Sequence, residues 1–195
     1  MKTTHHFNDL PGEIKTLLTN SMDLFELEIN PAFRKLSSQG NRGIVFEIVG
    51  SDLVIKWIQG KNGAKDSDIK ALLDLDGVVY FPKLYAYEER SFLVMEKVKG
   101  QDIAQLVREN LITDAELRMV KLHYKDAVSI GIQKKRYDWD IKLEHLYWDQ
   151  KANKLKIIDL GFWDEFNLPS NSTTNSINQS IETFDRELAY MGRRI

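Results

Sequence analysis

The chain has 195 residues, 43% hydrophobic and 29% charged, with a formal net charge of −2. That balance supports a packed core, speaks against global disorder, and argues against a nucleic-acid binder working through bulk charge. There is no cysteine, which excludes disulfides, thiolate metal centres and thiol nucleophiles, and no apolar run approaches the roughly 20 residues that span a bilayer.

The length fits one domain or one compact two-lobed unit. The N-terminal stretch MKTTHHFNDLPGE lacks the apolar centre of a Sec signal. A cytoplasmic protein is the default expectation, with a secreted effector carrying another kind of signal as the alternative. His5-His6, read alone, is too short for a tag or a metal site. Residues 9–36 read as helical, because Pro11 suits a first helical turn and Ile14, Leu17, Leu18 and Met22 recur at helix spacing. Ile44–Val49 and Leu53–Ile58 are rich in β-branched residues, and Gly50-Ser51-Asp52 between them reads as a hairpin turn. A helix is expected from about Asp66 to Leu75, then short strands at Val78–Tyr80 and Leu84–Tyr87, and a clearer one at Ser91–Lys97 before a turn at Gly100.

The next helix, about Asp114 to Ile130, carries a capping box in Thr113 and Glu116 and an apolar face of Leu117, Val120, Tyr124 and Val128. Leu146–Trp148 and Leu155–Ile158 read as a second hairpin around the polar turn DQKANK. Residues 167–180, NLPSNSTTNSINQS, read as a polar connection, and a last helix is expected from about Ile181 to Met191. Strands with one helix, then mainly helices with a short β insert, make an α+β pattern.

Three stations carry residues suited to chemistry. The first is Ser38-Gln39-Gly40-Asn41-Arg42-Gly43-Ile44-Val45 with Lys56 on the following strand. Two glycines three apart let backbone N–H groups approach phosphates, although the same glycines can simply shape a turn. A strand lysine is ordinarily a solvated edge, yet Leu53-Val54-Ile55 and Trp57-Ile58 enclose Lys56, and such a lysine needs a partner. Asp68 on the next helix is the candidate, with Asp66 as the fallback. The second station is Asp140-Ile141-Lys142-Leu143-Glu144-His145. The third is Ile157-Ile158-Asp159-Leu160-Gly161, where an acid after an apolar strand and before a glycine suits a metal ligand, or a plain strand-to-turn junction. The hairpin between them is placed to bring Asp140 and Asp159 to one end of the β insert.

The order of these stations resembles the protein-kinase family in its small microbial forms, of the RIO-like, bacterial Ser/Thr kinase-like or lipopolysaccharide-kinase-like type. Ser38-x-Gly40-x-x-Gly43-x-Val45 resembles the glycine-rich loop, with serine for the first glycine, and Leu53-Val54-Ile55-Lys56 resembles the Val-Ala-Ile-Lys strand. Asp68 stands for the helix glutamate that holds the lysine. Phe92–Val98 resembles the strand and hinge that receive adenine. Asp138–His145 sits where His-Arg-Asp-Leu-x-x-x-Asn is expected, and Asp159-Leu160-Gly161 where Asp-Phe-Gly is expected.

The resemblance implies a two-lobed α+β kinase-like fold. It has an antiparallel-sheet N-lobe over about 36–98 and a reduced helical C-lobe over about 99–195, with 1–35 as an N-terminal helical extension. It implies ATP and Mg²⁺ as cofactors and a hydroxyl on a protein or small molecule as acceptor. No nucleic acid is expected, and a partner protein is allowed. Lys56 would grip the α/β-phosphates, supported by Gly40, Gly43, Val45 and Asp68. Asp159 would bind the metal. Asp140 would orient the acceptor hydroxyl and take its proton, and Lys142 would steady the γ-phosphate. Main-chain groups near Glu96 and Val98 would meet adenine.

The pattern departs from the family further on as well. Asp138 and Trp139 replace the usual histidine and arginine, so no arginine awaits a phosphorylated loop. His145 replaces the second metal-binding asparagine, and imidazole favours softer ions such as Mn²⁺ over Mg²⁺; a histidine that only bonds nearby backbone is the plainer alternative. The chain after Gly161 is short for a full peptide-docking platform. Asp185 reads as solvent-facing or as an anchor for the Asp140 loop, and Arg193 as a surface residue. The resemblance thus favours an ATP-dependent Ser/Thr protein kinase, with a small-molecule or sugar kinase as one alternative and a pseudokinase, binding nucleotide or acting as a scaffold, as the other.

Overall fold

A computed structural model describes residues 1–37, 43–58, 67–165 and 173–195. They form two compact units, Met1–Asp76 with Pro82–Lys97, and Gly77–Phe81 with Val98–Ile195.

The first unit is built on one antiparallel sheet. Its strands are β1 (Lys2–Thr3), β2 (Phe33–Ser37), β3 (Gly43–Ile48), β4 (Leu53–Ile58), β5 (Leu84–Glu88) and β6 (Phe92–Glu96), in the spatial order β1-β5-β6-β4-β3-β2. Side chains alternate across a strand, and one face of this sheet carries a core. Ile44, Phe46 and Ile48 of β3, Leu53 and Ile55 of β4, and Phe92 and Val94 of β6 join one core cluster with Leu18 and Leu27. Those two leucines come from α1 (Gly12–Asn20) and α2 (Leu24–Ile29), so the N-terminal helices cover this face. Asp23 caps α2 by accepting a 2.9 Å bond from the Glu26 N–H. Lys56, between Ile55 and Trp57 on β4, belongs to the opposite face. The helix α3 (Ser67–Asp74) buries Ile69, Ala71 and Leu72.

The second unit is organised around α5 (Asp114–Gln133). The expected capping box is present: Thr113 Oγ1 accepts from the Glu116 N–H, and Glu116 accepts from the Thr113 N–H at 2.9 Å. Leu117, Val120, Tyr124 and Val128 are buried as the spacing predicts. The helix α6 (Thr173–Tyr190) packs on α5 through Phe184, which stacks on Tyr124, and through Leu188. A three-stranded sheet orders β10 (Lys154–Ile157), β9 (Leu146–Asp149) and β7 (Gln101–Asp102); β8 (Arg136–Asp138) pairs with β11 (Trp163–Glu165). A short helix α4 (Ile103–Arg108) follows β7, capped by Asp102. Gly131 is required where it stands, because a Cβ there would lie 2.6 Å from Trp163.

Several local expectations need correction. Residues 33–36 are not helical; they open β2, which pairs with β3 from Phe33↔Ile48 onward. Val78–Tyr80 forms no strand. Residues 173–180 are the first turns of α6 rather than a polar connection. Their packed face includes Ser176 and Ser180, which the hydrophobic pattern does not reveal: Ser180 is fully buried, and its hydroxyl bonds the Tyr137 hydroxyl at 3.0 Å. Arg193 does not simply stand in solvent. It folds back to Asp114 at 2.7 Å and to the Ile112 carbonyl at 3.1 Å. Asp185 pairs with Lys121 on α5, tying the two long helices together. Among the described residues, no helix is long and apolar enough to cross a membrane.

Candidate functional site

Within the first unit, β4 and α3 bring together a lysine and an acid that are 12 residues apart in sequence. Lys56 Nζ donates to Asp68 Oδ2 at 2.6 Å, with both side chains largely withdrawn from solvent at 11% and 16% exposure. The apolar strand forces Lys56 out of water, and Asp68 supplies the charge that makes this tolerable. Val45 lies directly across from Lys56 on β3, and Leu93 on β6. Gly43 has a local reason to be glycine, since a Cβ would lie 2.5 Å from the Trp57 carbonyl oxygen. Gly40 and Asp66 lie outside the described residues. Glu96 stands opposite Leu53, three residue pairs along from the Lys56↔Leu93 pair, and its N–H bonds the Lys83 carbonyl at 2.9 Å. Val98 begins the longer segment of the second unit and is half-buried.

Within the second unit, the segment after β8 folds around its own acids. Asp138 ends β8 and is buried, 6% exposed. Its Oδ1 accepts from the Asp140 N–H at 3.0 Å, and its Oδ2 accepts from the Tyr124 hydroxyl at 3.3 Å. Burial pushes the Asp138 carboxyl up to about 7; the two hydrogen bonds oppose the rise, and the charges of Asp140 and Asp159 add to it. Asp138 thus fixes the backbone that presents Asp140. The sequence carries one signal of this role in Tyr124, a polar group on the otherwise apolar face of α5.

The Asp140 side chain accepts from Lys142 Nζ at 2.7 Å. That hydrogen bond leads the causes raising the lysine above its ordinary value, so Lys142 remains an ammonium. A 3₁₀ turn, Leu143–His145, leads into β9, and β9 and β10 pair with Leu146 opposite Ile157. This register sets His145 beside the end of β10, where the Ile158 N–H bonds the His145 carbonyl at 2.9 Å. Asp159 follows in the left-handed region, with φ 55° and ψ 58°, an unusual conformation for a non-glycine residue that aspartate tolerates better than most. His145 Nε2 lies 3.6 Å from Asp159 Oδ2. Burial lowers the His145 pKa, with Asp159 opposing, so the ring favours its neutral, lone-pair-bearing form.

The donor set fits a divalent cation. Two donor atoms 3.6 Å apart can both lie about 2.1 Å from one ion. A carboxylate with a neutral imidazole suits Mn²⁺ better than Mg²⁺, which prefers oxygen throughout. Trp139, where an arginine was looked for, is 58% exposed and packs edge-on against Tyr137.

No protein-family model matches the sequence, and no curated protein matches it at the level of sequence. The fold does match solved structures. The kinase PK-1 of the Cydia pomonella granulovirus is similar with a TM-score of 0.58 and 17% identity, over 82% of this chain and 60% of the viral one. The chain therefore has a protein-kinase-like fold and spans less than two thirds of that viral protein's length.

Proposed function

We propose that this protein is an ATP-dependent phosphotransferase that moves the γ-phosphate to a hydroxyl, most simply that of a protein serine or threonine. The observation that carries the proposal is the withdrawn Lys56–Asp68 pair at 2.6 Å in a chain of kinase-like fold. Phosphoryl transfer depends mainly on positioning and on neutralising oxygen charge. Lys56, oriented by Asp68, would meet the α- and β-phosphates. Asp159, with His145 beside it, would hold a divalent ion, which supplies charge neutralisation at the β- and γ-phosphates. Asp140, held by the Asp138 carboxylate through its own N–H, would orient the acceptor hydroxyl and take its proton. Lys142 would steady the transferring phosphoryl group, exchanging its contact with Asp140 for one with phosphate oxygen. Glu96 and Val98 would offer main-chain groups to the adenine, and Gly40, Gly43 and Val45 would border the phosphates.

His145 in place of an amide ligand favours, as a second reading, a small-molecule or sugar kinase of the same fold. Both readings are tested by incorporation of labelled phosphate from ATP into the protein itself, a generic protein and a carbohydrate acceptor, with Asp159→Ala as control. Transfer to protein that the variant loses supports the first reading, and transfer to carbohydrate alone supports the second. ATP binding without transfer to any acceptor would overturn both in favour of a pseudokinase.

A further inference from the structure

The pair His5-His6 acquires in the fold a third donor that the sequence does not place near it. Residues His5–Asp9 form a 3₁₀ turn just after β1. That turn is fastened to β5, because the Thr4 N–H donates to the Tyr85 carbonyl at 2.9 Å and the Thr4 hydroxyl donates to the Leu84 carbonyl at 2.5 Å. Asp76 lies just beyond α3, and its carboxylate meets both imidazoles. His6 Nε2 is 2.7 Å from Asp76 Oδ1, and His5 Nδ1 is 3.7 Å from Asp76 Oδ2. The two rings lie against each other with centroids 3.9 Å apart. One donor atom from each residue falls within 4.8 Å of the others.

We propose that His5, His6 and Asp76 form a binding site for a divalent transition-metal ion of the zinc class. Two imidazole nitrogens and one carboxylate oxygen are a donor set for Zn²⁺, Co²⁺ or Ni²⁺ and a poor one for Mg²⁺ or Ca²⁺. Three protein donors leave further positions to water. An ion about 2.0–2.2 Å from each donor needs donor separations below about 4.4 Å, so a small rotation of the exposed His5 ring completes the set. His6 is already held, with a side chain only 12% exposed. On binding, His6 carries its proton on Nδ1 and presents the Nε2 lone pair to the ion, which replaces the hydrogen bond to Asp76. The ion would clip the N-terminal segment to the end of α3, the helix that carries Asp68. The site is independent of any phosphotransferase activity.

The test is titration of the full-length chain, free of any added histidine tag, with ZnCl₂ by calorimetry and with CoCl₂ by visible absorption. The variants are His5→Ala, Asp76→Asn and His145→Ala. His5 is 68% exposed, so its loss spares the fold, and asparagine keeps the shape of Asp76. The expected result is a tight Zn²⁺ site of equal affinity in the wild type and in His145→Ala, with d–d bands of low-coordinate Co²⁺. Affinity should weaken at least tenfold in His5→Ala and Asp76→Asn. Zn²⁺ at about 100 times the wild-type Kd should raise the midpoint of thermal unfolding by roughly 5 °C or more in the wild type, and by about half as much or less in His5→Ala and Asp76→Asn. Equal affinity in wild type, His5→Ala and Asp76→Asn would overturn the proposal, as would binding lost only in His145→Ala.

Discussion

Asp138→Asn isolates the electrostatic cost of the buried acid that holds the Asp140 loop. Its carboxyl is raised from 3.8 to about 7, with burial as the leading cause. Over that window the folded chain keeps the Asp138 proton and the unfolded chain has lost it. Stability therefore falls as pH rises: the cost is absent below about pH 4, grows through the window, and is complete above about pH 7. At about 1.36 kcal/mol per unit, the full cost is about 4 kcal/mol, a large fraction of a typical folding free energy of about 5–15 kcal/mol. Asparagine keeps an oxygen for the Asp140 N–H and its amide can donate to the Tyr124 hydroxyl oxygen, but it does not titrate. The assay is urea unfolding of both proteins between pH 4.5 and pH 8.5, followed by tryptophan fluorescence. Trp139, Trp148 and Trp163 all belong to the same unit as Asp138, so the signal reports mainly on that unit. The stability difference, variant minus wild type, should climb by several kcal/mol from the acid end to pH 7 and then level off. Parallel stability profiles, or a difference that shrinks toward alkaline pH, would refute the reasoning.

Gly131→Ala should destabilise the second unit by about 1–3 kcal/mol, because the new methyl meets the indole of Trp163, itself 1% exposed and unable to move aside; thermal unfolding measures it. If the phosphotransferase reading holds, His145→Asn should lower the ratio of Mn²⁺-supported to Mg²⁺-supported activity several-fold, since it replaces an imidazole donor by an amide oxygen; a metal titration showing equal ratios removes His145 from the metal. Under the same reading, Ser170→Ala combined with Ser172→Ala should leave activity unchanged, because an exposed Trp139 stands where a phosphate-binding arginine was looked for.

What the sequence made legible follows the physics of each residue. The capping box at Thr113 is local chemistry within four residues and is found where the spacing put it. The Lys56–Asp68 pair was approachable because an enclosed lysine requires an acid and few acids were near. The Leu146–Ile157 register follows from two apolar strands joined by a short polar turn. The missed features all depend on partners supplied by the fold. The start of α6 was hidden because its packed face is partly serine, satisfied by Tyr137 from β8. The burial of Asp138 was hidden because Tyr124 reaches it from another element. The three donors at His5, His6 and Asp76 were hidden because about 70 residues separate them.

Lys56 in the first unit and Asp138 in the second are both withdrawn from water, and the two are accommodated in opposite ways. Lys56 is withdrawn from water together with an opposite charge at 2.6 Å, an arrangement that holds the lysine in place. Among the described residues, Asp138 receives neutral donors, the Asp140 N–H and the Tyr124 hydroxyl, while the neighbouring acids Asp140 and Asp159 push its carboxyl further toward the protonated form. A chain under selection for stability alone has a simpler solution in asparagine, which can keep a hydrogen bond to each partner without the charge. What aspartate adds is an acceptor that can be ionised near neutral pH and whose grip on the Asp140 backbone strengthens when it is. Under the phosphotransferase reading, a divalent cation held by Asp159 would offset part of the negative charge that raises the Asp138 carboxyl, and so favour the ionised form that grips the Asp140 backbone.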